Sequence, residues 1–183
     1  MVNDWESVST TIRYYNMPNN YFYRMFFSKC YAQASAAFLR AGRKREAEIC
    51  DAYLLRDKAQ LVSTTTSNTR KQAFMTAANA FTTCAQGSPS KQVNERLAYY
   101  RTAGECYSQA HDLKNAGDSY QMANQYTAAA CAYQKGGHFD KLLGVIIQHG
   151  DVLDSGLVEG LTTATQLYYF KVNFSQSVAS ECF

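Results

Sequence analysis

Three histidines and six cysteines are the side chains of this chain best suited to nucleophilic, acid–base or metal chemistry, and their spacing decides what they can do. Catalysis needs a nucleophile, a base and an orienting group brought together, or a metal. His111, His138 and His149 fall at or near expected helix ends, where an imidazole is solvated or caps the helix. Cys30, Cys50, Cys84, Cys106, Cys131 and Cys182 contain no Cys-x-x-Cys pair, so neither a zinc knuckle nor a thioredoxin-type redox pair is present. Cys106, His111, Cys131 and His138 form the one imaginable zinc set. Their spacing matches no familiar ligand pattern, and Cys106 sits on an apolar helical face. No Gly-x-x-x-x-Gly-Lys-Ser/Thr loop cradles phosphates. The expectation is no catalytic residue, no cofactor and no metal site, hence no enzyme activity in this chain.

Recognition chemistry has better candidates. Arg43, Lys44 and Arg45, with Arg40, span one helix end and the next helix start. Cations there complement the helix dipole; the same run can meet an acidic peptide or nucleic acid, and Arg56, Lys58, Arg70 and Lys71 can extend it. The ring cluster Tyr21, Phe22, Tyr23, Phe26, Phe27 and Tyr31 surrounds its helix instead of forming one stripe. It packs under neighbours on two sides, docks onto a partner, or, beside Arg13, Arg24 and Lys29, stacks on bases. Asn115, Gln121, Asn124, Gln125 and Gln134 lie next to repeat aromatics and are the candidate polar contacts for a protein or peptide partner. The charge of +3 divides into 14 Lys+Arg against 7 Asp+Glu over residues 1–101 and 4 against 8 over 102–183. That polarity can steer partners, yet is too mild for a nucleic-acid footprint by itself.

The elements that must position these residues are set by an internal repeat. Ala103-x-x-x-Tyr107-x-x-Ala110, Ala116-x-x-x-Tyr120-x-x-Ala123 and Ala129-x-x-x-Tyr133-x-x-Gly136 follow one another at a step of 13 residues. Another step reaches Leu142-x-x-x-Ile146. Ala34-x-x-x-Phe38-x-x-Ala41 and Ala77-x-x-x-Phe81-x-x-Cys84 carry the same template upstream. Positions i, i+4 and i+7 share one helix face, so each unit offers a ring between two small residues. Small residues admit a neighbouring helix, and the ring fills the gap. A 13-residue step allows about ten helical residues, roughly 15 Å, and about three to turn the chain. Helices this short are marginal alone and persist only when stacked. The predicted fold is all-α, a TPR-like α-solenoid of stacked antiparallel helical hairpins. Asp112 is expected to cap a helix start, and Gly136-Gly137 to close a helix end.

The organisation predicted is an irregular segment over 1–20, the repeat array over 21–149, and a loop, last helix and tail over 150–183. Within the array, 44–61 reads as one longer helix with Ala47, Cys50 and Leu54 inward and Asp51 in the aromatic position. Residues 62–70 read as a polar linker, 86–91 as a loop and 92–110 as one helix. Residues 157–170 read as the last helix.

Several stretches resemble one known group. Tyr31-Ala32-Gln33-Ala34-Ser35-Ala36-Ala37-Phe38-Leu39-Arg40-Ala41-Gly42, Arg45-Glu46-Ala47 and Ala52-Tyr53-Leu54-Leu55-Arg56-Asp57-Lys58-Ala59 are similar to the helical region of large TPR-and-ankyrin-repeat proteins. Ala98-Tyr99-Tyr100-Arg101-x-x-Gly104-Glu105-Cys106-Tyr107 continues the likeness, which covers about 27–147. Those proteins, many of them fungal, carry a UvrD-like superfamily-one helicase core elsewhere. The resemblance implies a protein-interaction scaffold or, alternatively, an accessory nucleic-acid-associated segment whose ATPase core is not in this sequence.

The start, Met1-Val2-Asn3-Asp4-Trp5-Glu6, has acids where a signal peptide needs a basic and then an apolar run. The longest aliphatic stretch, near Leu142 to Ile147, is far short of a membrane span. The expectation is an intracellular protein, cytoplasmic or nuclear, with no membrane partner.

Overall fold

The computed structural model describes residues 29–62 and 67–181; the side chains of 67 and of 173–181 lie outside that description. The described residues are all-helical. In chain order the helices are α1 (Tyr31–Arg40), α2 (Lys44–Leu61), α3 (Ser67–Gln86), α4 (Val93–Gln109), α5 (Leu113–Met122), α6 (Tyr126–Gly136), α7 (Phe139–His149) and α8 (Ser155–Glu181).

The step of 13 residues is written into the turns as well as the helices. After α1, the amide of Arg43 donates to the carbonyl of Phe38 at 2.8 Å. The same bond runs from Asp112 to Tyr107 at 3.0 Å, from Gln125 to Tyr120 at 2.8 Å and from His138 to Tyr133 at 2.9 Å. Each closes a six-residue ring of the Schellman type on the carbonyl of the repeat's aromatic residue. The residue before each donor has positive φ: Gly42 at 71°, His111 at 58°, Asn124 at 57° and Gly137 at 70°. The third template residue (Ala41, Ala110, Ala123, Gly136) is therefore the last at or beyond the helix end. The residue two further on is the N-cap of the next helix. Asp112 performs the expected cap, accepting from the amide of Asn115 at 3.3 Å.

Each helix packs chiefly against the helices before and after it in the chain. The start of α5 lies beside the end of α6, and the start of α6 beside the end of α7. Rings of Tyr31 and Tyr53 stack at 5.4 Å, Tyr53 meets Phe81 edge-on at 5.0 Å, and Phe81 stacks with Tyr99 at 6.5 Å, a row of aromatics crossing α1 to α4. Tyr126 at the start of α6 stacks on His149 at the end of α7, and Phe139 at the start of α7 stacks on Tyr168 of α8. The main buried cluster draws on α2 to α6; a second joins α6, α7 and α8, and a third pairs α1 with α2.

The template residues fill these clusters, with three exceptions. Ala34, Phe38, Ala77, Phe81, Cys84, Ala103, Tyr107, Ala110, Ala116, Ala123, Ala129 and Tyr133 are buried. Tyr120 is half-buried and packs between two clusters, and Gly136 is half-buried. Ala41 is exposed, which corrects its expected core role: the third position is a cap, buried only where another element passes over the turn. At Gly136 such an element exists, because a Cβ there would lie 2.9 Å from that of Leu113, the first residue of α5.

Two stretches differ from the expectation. Residues 67–70 are the first turn of α3 and not linker, so Ala77, Phe81 and Cys84 lie inside a 20-residue helix with no cap after the third position. The last helix begins at Ser155 and continues past Phe170 to Glu181, so the tail from Lys171 is helical to that point. The helix expected over 92–110 is α4, with Gln92 as its N-cap. The expected irregular segment 1–20 and the ring cluster, except Tyr31, lie outside the described residues.

Candidate functional site

The basic run is mostly consumed by the fold. Arg43 bonds Glu46 through its guanidinium at 2.5 Å and lies over the Phe38 ring at 5.1 Å. Arg45 reaches across to a distant part of the chain. Its Nη1 donates to Gln92 at 2.9 Å, and its Nη2 donates to Ser88 at 3.2 Å and Glu95 at 2.8 Å. It therefore clasps the start of α2 to the loop before α4 and to α4 itself. Lys44 is exposed, 3.7 Å from Glu48, and so is Arg40 at the end of α1. Arg43, Lys44 and Arg45 thus do not present three converging cations, and Arg56 lies eleven residues further along α2, about 16 Å at helical rise.

The five polar candidates are divided between two places. Because Leu113 lies beside Gly136, the start of α5 meets the end of α6, which puts Asn115 and Gln134 at one end of that pair. Gln121, Asn124 and Gln125 lie at the other, roughly 15 Å away along a ten-residue helix. Asn115 is engaged with Asp112 at 2.7 Å, and Asn124 accepts from the Tyr126 hydroxyl at 3.2 Å. Gln121 accepts from Tyr133 at 3.3 Å, while Gln134 is exposed. They are not one cluster, because consecutive helices reverse direction between them.

A polar network that the sequence did not single out joins α5, α6 and α7. The Tyr133 hydroxyl donates to Asp118 at 2.5 Å, and the Lys141 ammonium donates to the same carboxylate oxygen. Burial pushes the Asp118 carboxyl up, but the hydrogen bonds from Lys141 and Tyr133 and the Lys141 charge outweigh it and hold it below the ordinary value. Burial, then the bond to Asp118, keeps the Tyr133 phenol well above its usual range. The network fixes the ring that Gly117 admits: a Cβ on Gly117 would stand 2.4 Å from the Tyr133 ring. Gly104 admits Tyr120 in the same way, at 2.8 Å, one 13-residue step earlier.

Three of the thiols are core side chains. Cys50, Cys84 and Cys106 are buried, and burial pushes them up to about 12, about 11 and about 12. At neutral pH they are protonated small apolar side chains without nucleophilic character. Among the described residues, no three His, Cys, Asp or Glu side chains gather to hold a metal. No described helix is long and apolar enough to cross a membrane.

One cleft is formed wholly by described residues. It has a volume of about 450 Å³ and is lined by Arg56 and Gln60 near the end of α2, Arg70 and Phe74 near the start of α3, and Glu105, Cys106 and Gln109 near the end of α4. Arg56 lies over the Tyr53 ring at 4.9 Å and Arg70 over the Phe74 ring at 5.5 Å, so both guanidiniums are held by aromatic faces. Arg56 is also 3.6 Å from Asp57, and its Nε is buried with no hydrogen-bond partner among the described residues. Both arginines belong to the outer part of the basic patch read from the sequence; their convergence depends on where α3 returns beside α2.

Comparison of the chain with protein-family models, with curated proteins and with solved structures found no match.

Proposed function

We propose that the chain is a non-catalytic protein–protein interaction scaffold whose helices stack as TPR-like antiparallel hairpins, forming an α-solenoid. The observation that carries this reading is the turn bonded to the aromatic carbonyl at Phe38, Tyr107, Tyr120 and Tyr133, which reverses the chain the same way each time. Links between helices two apart, Arg45 with Glu95 and Lys141 with Asp118, support stacking of one hairpin on the next. Repeats of this construction expose long helical edges and bury little that could house a reaction. The buried thiols of Cys50, Cys84 and Cys106 and the histidines in turns or at helix ends agree with a binding role.

The alternative, an accessory segment of a UvrD-like helicase, draws on the resemblance alone. The basic run does not favour it, since two of its three central cations are engaged with carboxylates. Affinity capture with the whole chain, in the presence of nuclease, should recover a protein that rebinds when purified and slows amide exchange on defined helices. Binding instead to single-stranded nucleic acid, salt-sensitive and weakened when Arg43, Lys44 and Arg45 are neutralised, would overturn it in favour of the alternative.

A further inference from the structure

We propose that α8 is a self-association surface: two copies of the chain pair antiparallel along it, each placing its Phe170 ring over Gly160 of the other. The proposal goes beyond the scaffold reading and does not depend on it.

α8 has two opposite faces. Leu161 and Thr165 are buried, and Val158 packs with Leu161 against the core of α6 and α7. On the far side, at about 100° per residue, lie Gly156, Gly160, Thr163, Leu167 and Phe170, all exposed. Their spacing alternates between four and three residues, the seam by which two helices pair. Leu167 is 57% exposed and Phe170 70%, a large apolar area to leave in water on one helix face.

The occupant follows from the seam's own pattern. Glycine inside a helix is less stable than alanine, and in this chain such glycines are seats for rings: a Cβ on Gly104 or Gly117 would strike Tyr120 or Tyr133 of the next helix. Gly160 lies inside α8, yet among the described residues a Cβ there would meet nothing within 4 Å. One copy leaves this seat unfilled, and the seam supplies the ring. Two antiparallel α8 helices centred at the level of residue 165 set Gly160 opposite Phe170 of the second copy and Thr163 opposite its Leu167. Each small residue meets a large one, and the match is its own inverse, as a two-fold interface requires. Charge selects the same direction. Glu159 and Lys171 are exposed and border the seam near its two ends. An antiparallel pair brings unlike charges to the same level, whereas a parallel pair brings each to its own kind. From Gly156 to Phe170 the seam runs about 21 Å, a small interface, so dissociation on the order of tens of micromolar is expected. Below that concentration α8 keeps only the packing that its own copy provides.

Sedimentation velocity of the full chain, from about 1 to about 300 μM, is the test. The mass should rise from 20.5 kDa toward twice that value. Leu167→Ser and Phe170→Ser should each weaken the dimer about tenfold, whereas Ile147→Ser, at a 74% exposed position of α7, should change it less than about twofold. Gly160→Ala should also weaken it about tenfold and yet raise the melting midpoint of the dilute chain, because alanine favours the helix and its Cβ has open space within one copy. Misfolding would lower both readings. Glu159→Lys and Lys171→Glu should each weaken association about threefold, and the double exchange should restore it. A parallel pair would show no such restoration. A monomer at every concentration, species larger than a dimer, equal losses at Ile147 and Phe170, a dimer indifferent to Gly160→Ala, or a double exchange no better than the single ones would each overturn the proposal. So would a monomer that binds phosphatidylcholine vesicles through Phe170, which would assign the face to a lipid surface.

Discussion

Asp118 shows how a single surface-facing carboxylate can hold three helices. It takes hydrogen bonds from Tyr133 and Lys141, and its folded-state pKa is depressed. A depressed carboxylate contributes stability above its unfolded value, ordinarily 3.8, and loses that contribution as pH falls below it through the folded value. Urea unfolding should therefore show a midpoint that drops in acid for the natural chain and less steeply for Asp118→Asn. Tyr133→Phe removes one donor and should cost about 1 kcal/mol at neutral pH. Arg45 is a stronger case, because it satisfies three acceptors near the loop before α4 and Glu95 is only 13% exposed. Arg45→Ala should cost about 2 kcal/mol, whereas Lys44→Ala should stay within about 0.5 kcal/mol in the same urea titration.

At the scale of the helix and its turn, small residues do two separate jobs. Gly104 and Gly117 are seats for rings on the next helix, and the tolerance of each seat depends on how tightly its ring is held. Tyr133 is wholly buried and bonded to Asp118, so Gly117→Ala has no room and should lose about 1–3 kcal/mol. Tyr120 is half-buried and can turn aside, and alanine gains about 1 kcal/mol in helix propensity. Gly104→Ala should therefore cost clearly less, a ranking that thermal denaturation reads directly. The turns offer the converse experiment. His111 holds φ at 58° where Gly42 and Gly137 hold 71° and 70°. His111→Gly should raise the unfolding free energy in the same urea titration by up to about 1 kcal/mol, and Gly137→Ala should lower it by a similar amount. These turns explain what was legible. The ring between small residues survives in the sequence because burial constrains side chains. The left-handed residue does not, because histidine and asparagine occupy it as well as glycine. A glycine within a helix, such as Gly117, reads as mere weakness until the facing ring is known. The cleft shared by Arg56 and Arg70 was beyond reach for a similar reason: the two are fourteen positions apart and line it together only when α3 lies against α2.

Over the whole molecule, contacts are carried from each helix to its neighbours in the chain, so stability should be graded and not uniform. Packing is most extensive between α3 and α4, where Phe74, Ala77, Ala78, Phe81, Tyr99 and Ala103 are all buried, and least extensive between α7 and α8. Along α8 the described core contribution narrows to Leu161 and Thr165, while Leu167 and Phe170 are 57% and 70% exposed. A chain built this way opens locally from its weakly packed helices, and each opening exposes little surface. Native-state hydrogen exchange should accordingly place the most protected amides in α3 and α4 and the fastest-exchanging helical amides in α8, with α6 and α7 between them. Adding urea at low concentration should leave the exchange of α8 nearly unchanged while accelerating that of α4, because only the latter waits for a large opening. Uniform protection, with one urea dependence for every helix, would mean that the helices unfold as a single cooperative block. The repeated turn would then be a local habit of the chain and not the unit from which its stability is assembled.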